Sequence, residues 1–283
     1  VSLEVLTEIG KRTLIMGILN VTPDSFSDGG RYTTVEAAVA HAQRLVEEGA
    51  DILDIGGEST RPGADPVPLD EELRRVIPVV QAVRQALPEV CISVDTYKAR
   101  VAREALESGA DMINDVSALR FDPEMASVVA EGDVPVVLMH MKGTPKTMQQ
   151  NPTYGDVVRE ILAFLRERIE FAVSQGIARD RIIVDPGIGF GKRPEHNTEI
   201  LQRLGELREL GRPILLGTSR KSFLGALTKR PVEKRLEETI ASVVVGVLRG
   251  ADIVRVHDVA PMKHALAVAD AVCERYAPRP SSP

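Results

Sequence analysis

LIMGILNVTPDSFSDGG, residues 14–30, changes character in its middle. Leu14, Ile15, Met16, Ile18 and Leu19 form an apolar run of strand length. At Asn20 the chain turns polar, and by Gly30 it has passed Asp24, Ser25, Ser27 and Asp28, with Phe26 as the large apolar group. A buried strand that empties into a loop rich in Gly, Pro, Asp and Ser is how α/β proteins present chemistry at a strand's C-terminal end. Downstream, the same event recurs.

Apolar runs of strand type return at residues 51–60, 91–95, 112–116, 134–140, 182–186, 213–219 and 252–258. Between them lie helical patterns. In the first, Val35, Ala38, Val39, Ala42, Leu45 and Val46 share one face, Thr33 and Glu36 form a capping box, and Gly49 is placed to end the helix. Further helical patterns cover 70–87, 98–108, 122–131, 156–175, 198–210, 222–227, 233–249 and 262–276. Three strand entries share a phrase, EEGADIL, ESGADMI and RGADIV: a helix end, a glycine cap, then Ala-Asp and strand. Eight strands alternating with helices predict a single (β/α)8 TIM barrel with its active site at the C-terminal strand ends. An open doubly wound sheet is the competing architecture, but it rarely needs eight equal units. No Pro/Gly/Ser-rich linker divides the chain, so residues 1–276 read as one domain and 277–283 as a disordered tail.

Composition narrows the class. Of 283 residues, 43% are hydrophobic and 27% charged, enough to bury a large core. A net charge of −6 argues against a nucleic-acid binder, and no apolar run approaches the length of a membrane span. The N-terminus lacks a basic segment followed by an apolar stretch. Cys91 and Cys273 stand alone, which favours buried thiols over a disulfide. The expectation is a cytoplasmic protein without membrane or nucleic-acid partners.

Every strand closes on a polar or ionisable group. In order these are Asn20; Glu58 and Thr60; Asp95; Asn114 and Asp115; Met139 and His140; Asp185; Ser219 followed by Arg220 and Lys221; Arg255 and His257. Such groups at an apolar barrel's mouth are costly unless paired. One or two are accounted for structurally: Asp115 as a helix cap, His140 as a half-buried imidazole bonded to backbone. A full ring points to a polar ligand. Asp95, Asn114 and Asp185 offer acceptors for a heterocycle rich in N–H groups, such as a pterin or guanine-like edge. Arg61, Arg255 and His257, with the helix N-termini after strands seven and eight, suit a phosphate or diphosphate. Taken singly, Arg61 reads as a surface loop arginine, but Pro62 and Gly63 in STRPG fix its loop and make that the minority reading. DPGIGFGK, residues 185–192, lacks the ending of a P-loop and is weak evidence for phosphate by itself. Lys221 can form a Schiff base, donate hydrogen bonds or face solvent, and the sequence leaves all three open.

The motif set resembles the dihydropteroate synthase family, the folate-pathway enzymes that sulfonamides inhibit. The matching pieces are NVTPDSFSDGG at 20–30, GGESTRPGA at 56–64, SVDTYK at 93–98, IND at 113–115, MHMKGTPKTMQ at 139–149, DPGIGFGK at 185–192, GTSRKSFLG at 217–225 and RVHD at 255–258. They fall in family order across nearly the whole chain. The resemblance implies condensation of 6-hydroxymethyl-7,8-dihydropterin diphosphate with p-aminobenzoate, giving 7,8-dihydropteroate and diphosphate by a dissociative, carbocation-like displacement. Carried over, it implies that Asp95, Asn114, Met139, Asp185, Gly217 and Lys221 hold the pterin. It assigns Asn20, Thr60, Arg61, Arg255 and His257 to the diphosphate, with Asn20 as ligand to Mg²⁺. Thr60, Pro62, Phe190 and Ser222 line the p-aminobenzoate site. Catalysis falls to Asp28, which stabilises positive charge on the ring, and to Arg61, Lys221 and Arg255. A homodimer is implied as well.

Two other readings remain at this point. A corrinoid-linked methyltetrahydrofolate methyltransferase barrel would share the pterin-holding Asp and Asn, but would not be expected to carry STRPGA or SRKSFLG. A non-catalytic pterin-binding paralogue would have little need of the intact first loop and anion cluster.

Overall fold

The computed structural model describes residues 2–22 and 31–273. Among them, eight parallel strands form one sheet: β1 (Leu14–Asn20), β2 (Ile52–Gly56), β3 (Cys91–Asp95), β4 (Met112–Asp115), β5 (Val136–Met139), β6 (Ile182–Asp185), β7 (Leu215–Leu216) and β8 (Ile253–Val256). β1 pairs with both β2 and β8, and β6 meets β7 at a lone bridge between Val184 and Ile214, where the Val184 N–H donates to the Pro213 carbonyl at 2.9 Å. The sheet therefore curls into a nearly closed TIM barrel. The helices outside it are α1 (Arg31–Glu48), α2 (Leu69–Ala86), α3 (Ala99–Glu107), α4 (Met125–Gly132), α5 (Val157–Ser174), α6 (Pro194–Gln202), α7 (Ser222–Thr228), α8 (Leu236–Leu248) and α9 (Val259–Val272).

The repeated Gly-Ala-Asp phrase does the same work at each occurrence. Gly49, Gly109 and Gly250 take φ of +113°, +109° and +113°, a backbone that side chains rarely adopt, so each helix ends there and the chain turns into a strand. The aspartate that follows reaches across to the neighbouring strand. Asp51 accepts from the Ile15 N–H at 2.8 Å, Asp111 from Ile92 at 2.7 Å and Asp252 from Ile214 at 2.9 Å.

Several boundaries differ from the sequence expectation for local reasons. α1 spans Arg31–Glu48, so Thr33 lies within the helix and not ahead of it. α6 begins four residues before residue 198, with Pro194 at the position where a missing N–H costs nothing, and gives way to a 3₁₀ turn at Leu204–Leu210. α9 begins at Val259, since Pro261 is tolerated in a first turn. Asp156 caps α5, accepting from the Arg159 N–H at 3.0 Å. Asp115 caps no helix: it accepts from Ser117 and Leu119 at 2.7 and 2.8 Å, pinning the turn after β4, well ahead of α4.

Two cores flank the sheet. Outward-facing strand residues such as Ile15, Leu53, Ile92 and Val184 meet the helices, while Leu14, Met16, Ile52, Cys91, Met112, Val137, Ile183, Leu215 and Ile253 fill the barrel. Leu3, Val5 and Leu6 of the N-terminal 3₁₀ turn (Ser2–Glu8), with Ile9 just after it, close its lower end. Cys91 and Cys273 are free thiols, the first buried and the second half-buried. No helix among the described residues is long and apolar enough to cross a membrane. The expected tail, 277–283, and the loop carrying Phe26 and Asp28 lie outside the described residues.

Candidate active site

Strand periodicity builds the site. Alternate residues of a strand face the same way, so each strand that contributes an apolar residue to the barrel floor presents its next inward position one layer higher. β2 runs Ile52 to Asp54, β4 Met112 to Asn114, β6 Ile183 to Asp185, and β8 Ile253 to Arg255; β3 goes from Cys91 through Ser93 to Asp95. The interior is thus apolar below and ionisable above.

These groups pair with one another. Arg255 donates through Nε to Asp54 Oδ2 at 2.6 Å and through Nη2 to Asp95 Oδ2 at 2.9 Å. Asn114 Nδ2 donates to the same Asp54 oxygen at 3.1 Å. Asp185 accepts from the Gly187 N–H at 2.6 Å. Burial pushes the Asp95 carboxyl up to about 7, with Arg255 opposing and Asp54, Glu72 and Asp115 adding to the rise. Asp185 is raised to about 6 by burial, against the Gly187 N–H and Lys221. Lys221 is lowered to about 8 by burial and by Arg255, while Asp185 and Asp95 pull it back up. Its Nζ lies 4.2 Å from the centroid of the Phe190 ring. Carboxyls near neutrality facing a cation that can lose its proton are a mark of functional sites.

Above this floor opens a cavity of about 670 Å³. Asn20, Thr60, Arg61, Pro62, Asp95, Asn114, Met139, Asp185, Phe190, Gly217, Lys221, Ser222, Arg255 and His257 all line it, so every described residue singled out from the sequence as a site residue converges on one space. One wall is apolar, made of Val116, Met139, Met148 and Phe190. Arg61, Pro62 and Ser222 are exposed at the rim. His257 differs from a simple cationic anion holder. Its Nδ1 lies 2.8 Å from Ser219 Oγ, and burial together with Arg220 and Arg255 drives its pKa down to about 3, so the imidazole is neutral.

Two strand-end groups serve the scaffold. Glu58 accepts from Tyr97 Oη and Lys98 Nζ, both at 2.5 Å, and from the Val67 N–H at 2.9 Å, which fastens both ends of the loop carrying Thr60 and Arg61. Lys98 also pairs with the buried Glu72. His140, expected to bond to backbone, instead contacts Lys192 Nζ through Nδ1 at 3.0 Å. Asp54 is absent from the sequence reading. Its signal was present: a carboxylate in the middle of the apolar strand ILDIG, two residues before the strand's end, must be paired inside the barrel.

No group of three or more His, Cys, Asp or Glu among the described residues can hold a metal ion. What the mouth offers is the Asn20 amide, a hard oxygen donor beside the anion-facing groups Thr60, Arg61 and His257. Magnesium is commonly held by one or two protein oxygens with substrate phosphates and water completing its shell, and this donor set fits that mode.

The sequence of the "pterin binding enzyme" family model matches residues 16–257. The chain is 49% identical over 270 residues to the dihydropteroate synthase of Synechocystis, covering 95% of this chain and 93% of that one. It is 48% identical over 257 residues to the enzyme of the same name from Escherichia coli K12, covering 91% and 90%. Solved structures agree. The Xanthomonas albilineans dihydropteroate synthase with 4-aminobenzoic acid superposes with a TM-score of 0.87 at 53% identity, over 93% of this chain and 94% of that one. The Yersinia pestis dihydropteroate synthase in a sulfonamide drug complex superposes at 0.89 with 45% identity, over 94% and 96%. The chain belongs to the pterin-binding enzyme family and, within it, to the dihydropteroate synthases.

Proposed function

We propose that the barrel joins 6-hydroxymethyl-7,8-dihydropterin diphosphate to p-aminobenzoate and releases 7,8-dihydropteroate and diphosphate, with the roles divided as follows. The observation that carries the reading is the stack of Asp54, Asp95, Asn114, Asp185 and Arg255 inside the barrel, directly beneath a cavity with an anion-facing rim. A pterin presents adjacent N–H donors that a carboxylate can accept in parallel. Asp95, Asn114 and Asp185 supply acceptors, Lys221 a donor, and Met139 a flat apolar contact, while Gly217 leaves the ring room on β7's side.

In the reaction, the bond between the pterin methylene carbon and the diphosphate oxygen breaks and the oxygen keeps the electron pair. Thr60, Arg61, Arg255 and His257 face the charge that builds there, as preorganised donors in a water-poor site do. The neutral His257 donates a hydrogen bond, and a bound diphosphate raises its affinity for a proton. Asn20 would hold Mg²⁺, which would supply Lewis-acid stabilisation of the leaving diphosphate. Asp28 stabilises the positive charge on the ring. The amine nitrogen of p-aminobenzoate, seated among Thr60, Pro62, Phe190 and Ser222, donates its lone pair to the methylene carbon and loses a proton; no covalent enzyme nucleophile is used. The geometry that accepts p-aminobenzoate also accepts its sulfonamide mimics.

We assign the homodimer contact to α8 and α9, whose Val245, Leu248, Val268 and Val272 are exposed. A reducing, cytoplasmic setting agrees with the free thiols. The corrinoid-linked and non-catalytic readings are not favoured by any residue of the site. Incubation with both substrates and Mg²⁺ should yield one diphosphate per dihydropteroate and stop when EDTA is added; absence of product with both substrates bound would support the non-catalytic reading instead.

A further inference from the structure

The loop from Pro186 to Lys192 turns back on its own last side chain. Lys192 is 3% exposed, and its Nζ meets the carbonyls of Gly187 at 2.7 Å and Phe190 at 2.9 Å, His140 Nδ1 at 3.0 Å and the His140 carbonyl at 3.3 Å. An ammonium has three donors and no acceptor. Three of these acceptors lie within 3.0 Å and the fourth is longer, so the cage is built for the charged form, with His140 neutral and its proton on Nε2. Among the described residues no carboxylate pairs with Lys192. Burial pushes its pKa well below the usual lysine range, with only Asp185 pulling the other way. An ammonium held without a counter-charge is expensive, and an apolar side chain of similar length would be cheaper. The arrangement is therefore hard to explain as a stabiliser.

Its geometry faces the site. The loop packs between two lysines: its carbonyls face Lys192 behind, while its front presents the Phe190 ring to Lys221 Nζ and the Gly189 backbone to the Lys221 stem. Gly187 lies so close to β5's end that an added Cβ would stand 1.9 Å from the His140 carbonyl oxygen, and its φ is +69°. Gln149 Nε2 donates to the Gly189 carbonyl at 2.7 Å and Tyr154 Oη to the Gly191 carbonyl at 2.6 Å. Lys192 is thus the internal tie that fixes the two carbonyls on either side of the Phe190 turn.

Building on the function proposed above, we infer that Lys192 is a positioning residue for the aryl-amine half of the site: by drawing the Gly187 and Phe190 carbonyls onto one ammonium, it sets the Phe190 ring against Lys221. It touches neither substrate. The pterin acceptors Asp95 and Asn114 on β3 and β4 lie outside this loop, and Asp185 on β6 meets it at the Gly187 N–H and through the Lys192 charge.

The test is Lys192→Met with both substrates varied separately, alongside wild type in the same assay. KM for p-aminobenzoate should rise about tenfold or more, as a displaced contact wall does, while KM for the pterin diphosphate and the affinity for a free pterin stay within about threefold. Thermal stability should change little, because relief of the buried charge is offset by the Gly187 and Phe190 carbonyls losing their donor. His140→Phe, which keeps an aromatic ring against Phe164 and removes the Nδ1 acceptor at the cost of a larger ring, should give a smaller shift with the same split; it decides the matter if the methionine variant does not fold. Equal rises in both KM values, or no change in either, would overturn the inference. A wild-type protein that forms no dihydropteroate would instead overturn the function on which it rests.

Discussion

Asp54 is the least visible element of the site and the one whose removal is most informative. It is fully buried, and one oxygen receives both Arg255 Nε at 2.6 Å and Asn114 Nδ2 at 3.1 Å. Asp54→Asn preserves shape but removes the charge and turns half of the acceptor into a donor. The first loss is the charge-assisted bond to Arg255, worth about 1.5–3 kcal/mol. Arg255 keeps Asp95 as a partner at 2.9 Å, so the cost falls short of the roughly 3–5 kcal/mol expected when a buried charge loses its only counter-ion. Because Asp54 braces Asn114 and Arg255 of the proposed pterin floor, the loss should reach binding: at 1.36 kcal/mol per decade, about ten- to a hundredfold weaker pterin affinity. Isothermal titration with 6-hydroxymethylpterin measures it. Asp270→Asn is the control, since Asp270 is equally committed, accepting from the Thr13 N–H and hydroxyl at 2.9 and 2.6 Å, but on α9 away from the cavity. It should lose stability with affinity intact. If Asp54→Asn loses stability and binds pterin within about twofold of wild type, Asp54 is scaffold only and the reasoning fails.

Three further outcomes follow from the same geometry. The kcat/KM profile should rise as Asp185 and Asp95 ionise through about 6 and 7 and fall as Lys221 deprotonates near 8. The sign reverses for the ligand-free fold: carboxyls raised above their unfolded value of 3.8 stabilise the fold at low pH and withdraw that support as pH climbs from there to about 6 and 7, so stabilisation by bound pterin should grow across that window; a flat profile from 4 to 9 contradicts both. Lys221→Ala should weaken pterin binding about tenfold, the size of a lost charge-assisted bond, and borohydride should trap no adduct on the wild-type enzyme; a trapped lysine adduct would make it a Schiff-base residue. Asp28→Ala should reduce kcat by at least about a hundredfold with pterin affinity nearly unchanged, in line with loss of a group acting in the transition state; undiminished turnover would remove Asp28 from the mechanism.

The barrel was legible because its signals are local and repeated. Each apolar run ends in polar residues, and each Gly-Ala-Asp phrase marks a helix end and a strand start by the same backbone and hydrogen bonds. The cavity's residues were legible through the resemblance and through their place at strand ends. What escaped lies one layer deeper or depends on folding at a distance. Asp54 sits before its strand's end, where an inward carboxylate is recognisable only once Arg255, 201 residues later, is seen to pair with it. Glu58 does line the cavity, as its strand-end place suggests, but its bracing role depends on Tyr97 and Lys98, which belong to the next β–α unit. His140 was expected on backbone, but Lys192, from a different loop, takes its nitrogen. The charge of His257 could not be read from its letter, since burial beside two arginines decides it.

The central claim is that the ionisable layer inside the barrel is a pterin floor and the rim above it handles diphosphate and aryl amine. A crystal structure of this chain with 7,8-dihydropteroate bound tests it most directly. The account places the pterin's N–H edge within hydrogen-bond reach of Asp95, Asn114 and Asp185, and the aryl ring beside Phe190 and Lys221. Density for the ligand instead in the neighbouring cavity of about 510 Å³, between His41 and Arg44 of α1 and Asp258, with the barrel floor empty, would contradict it.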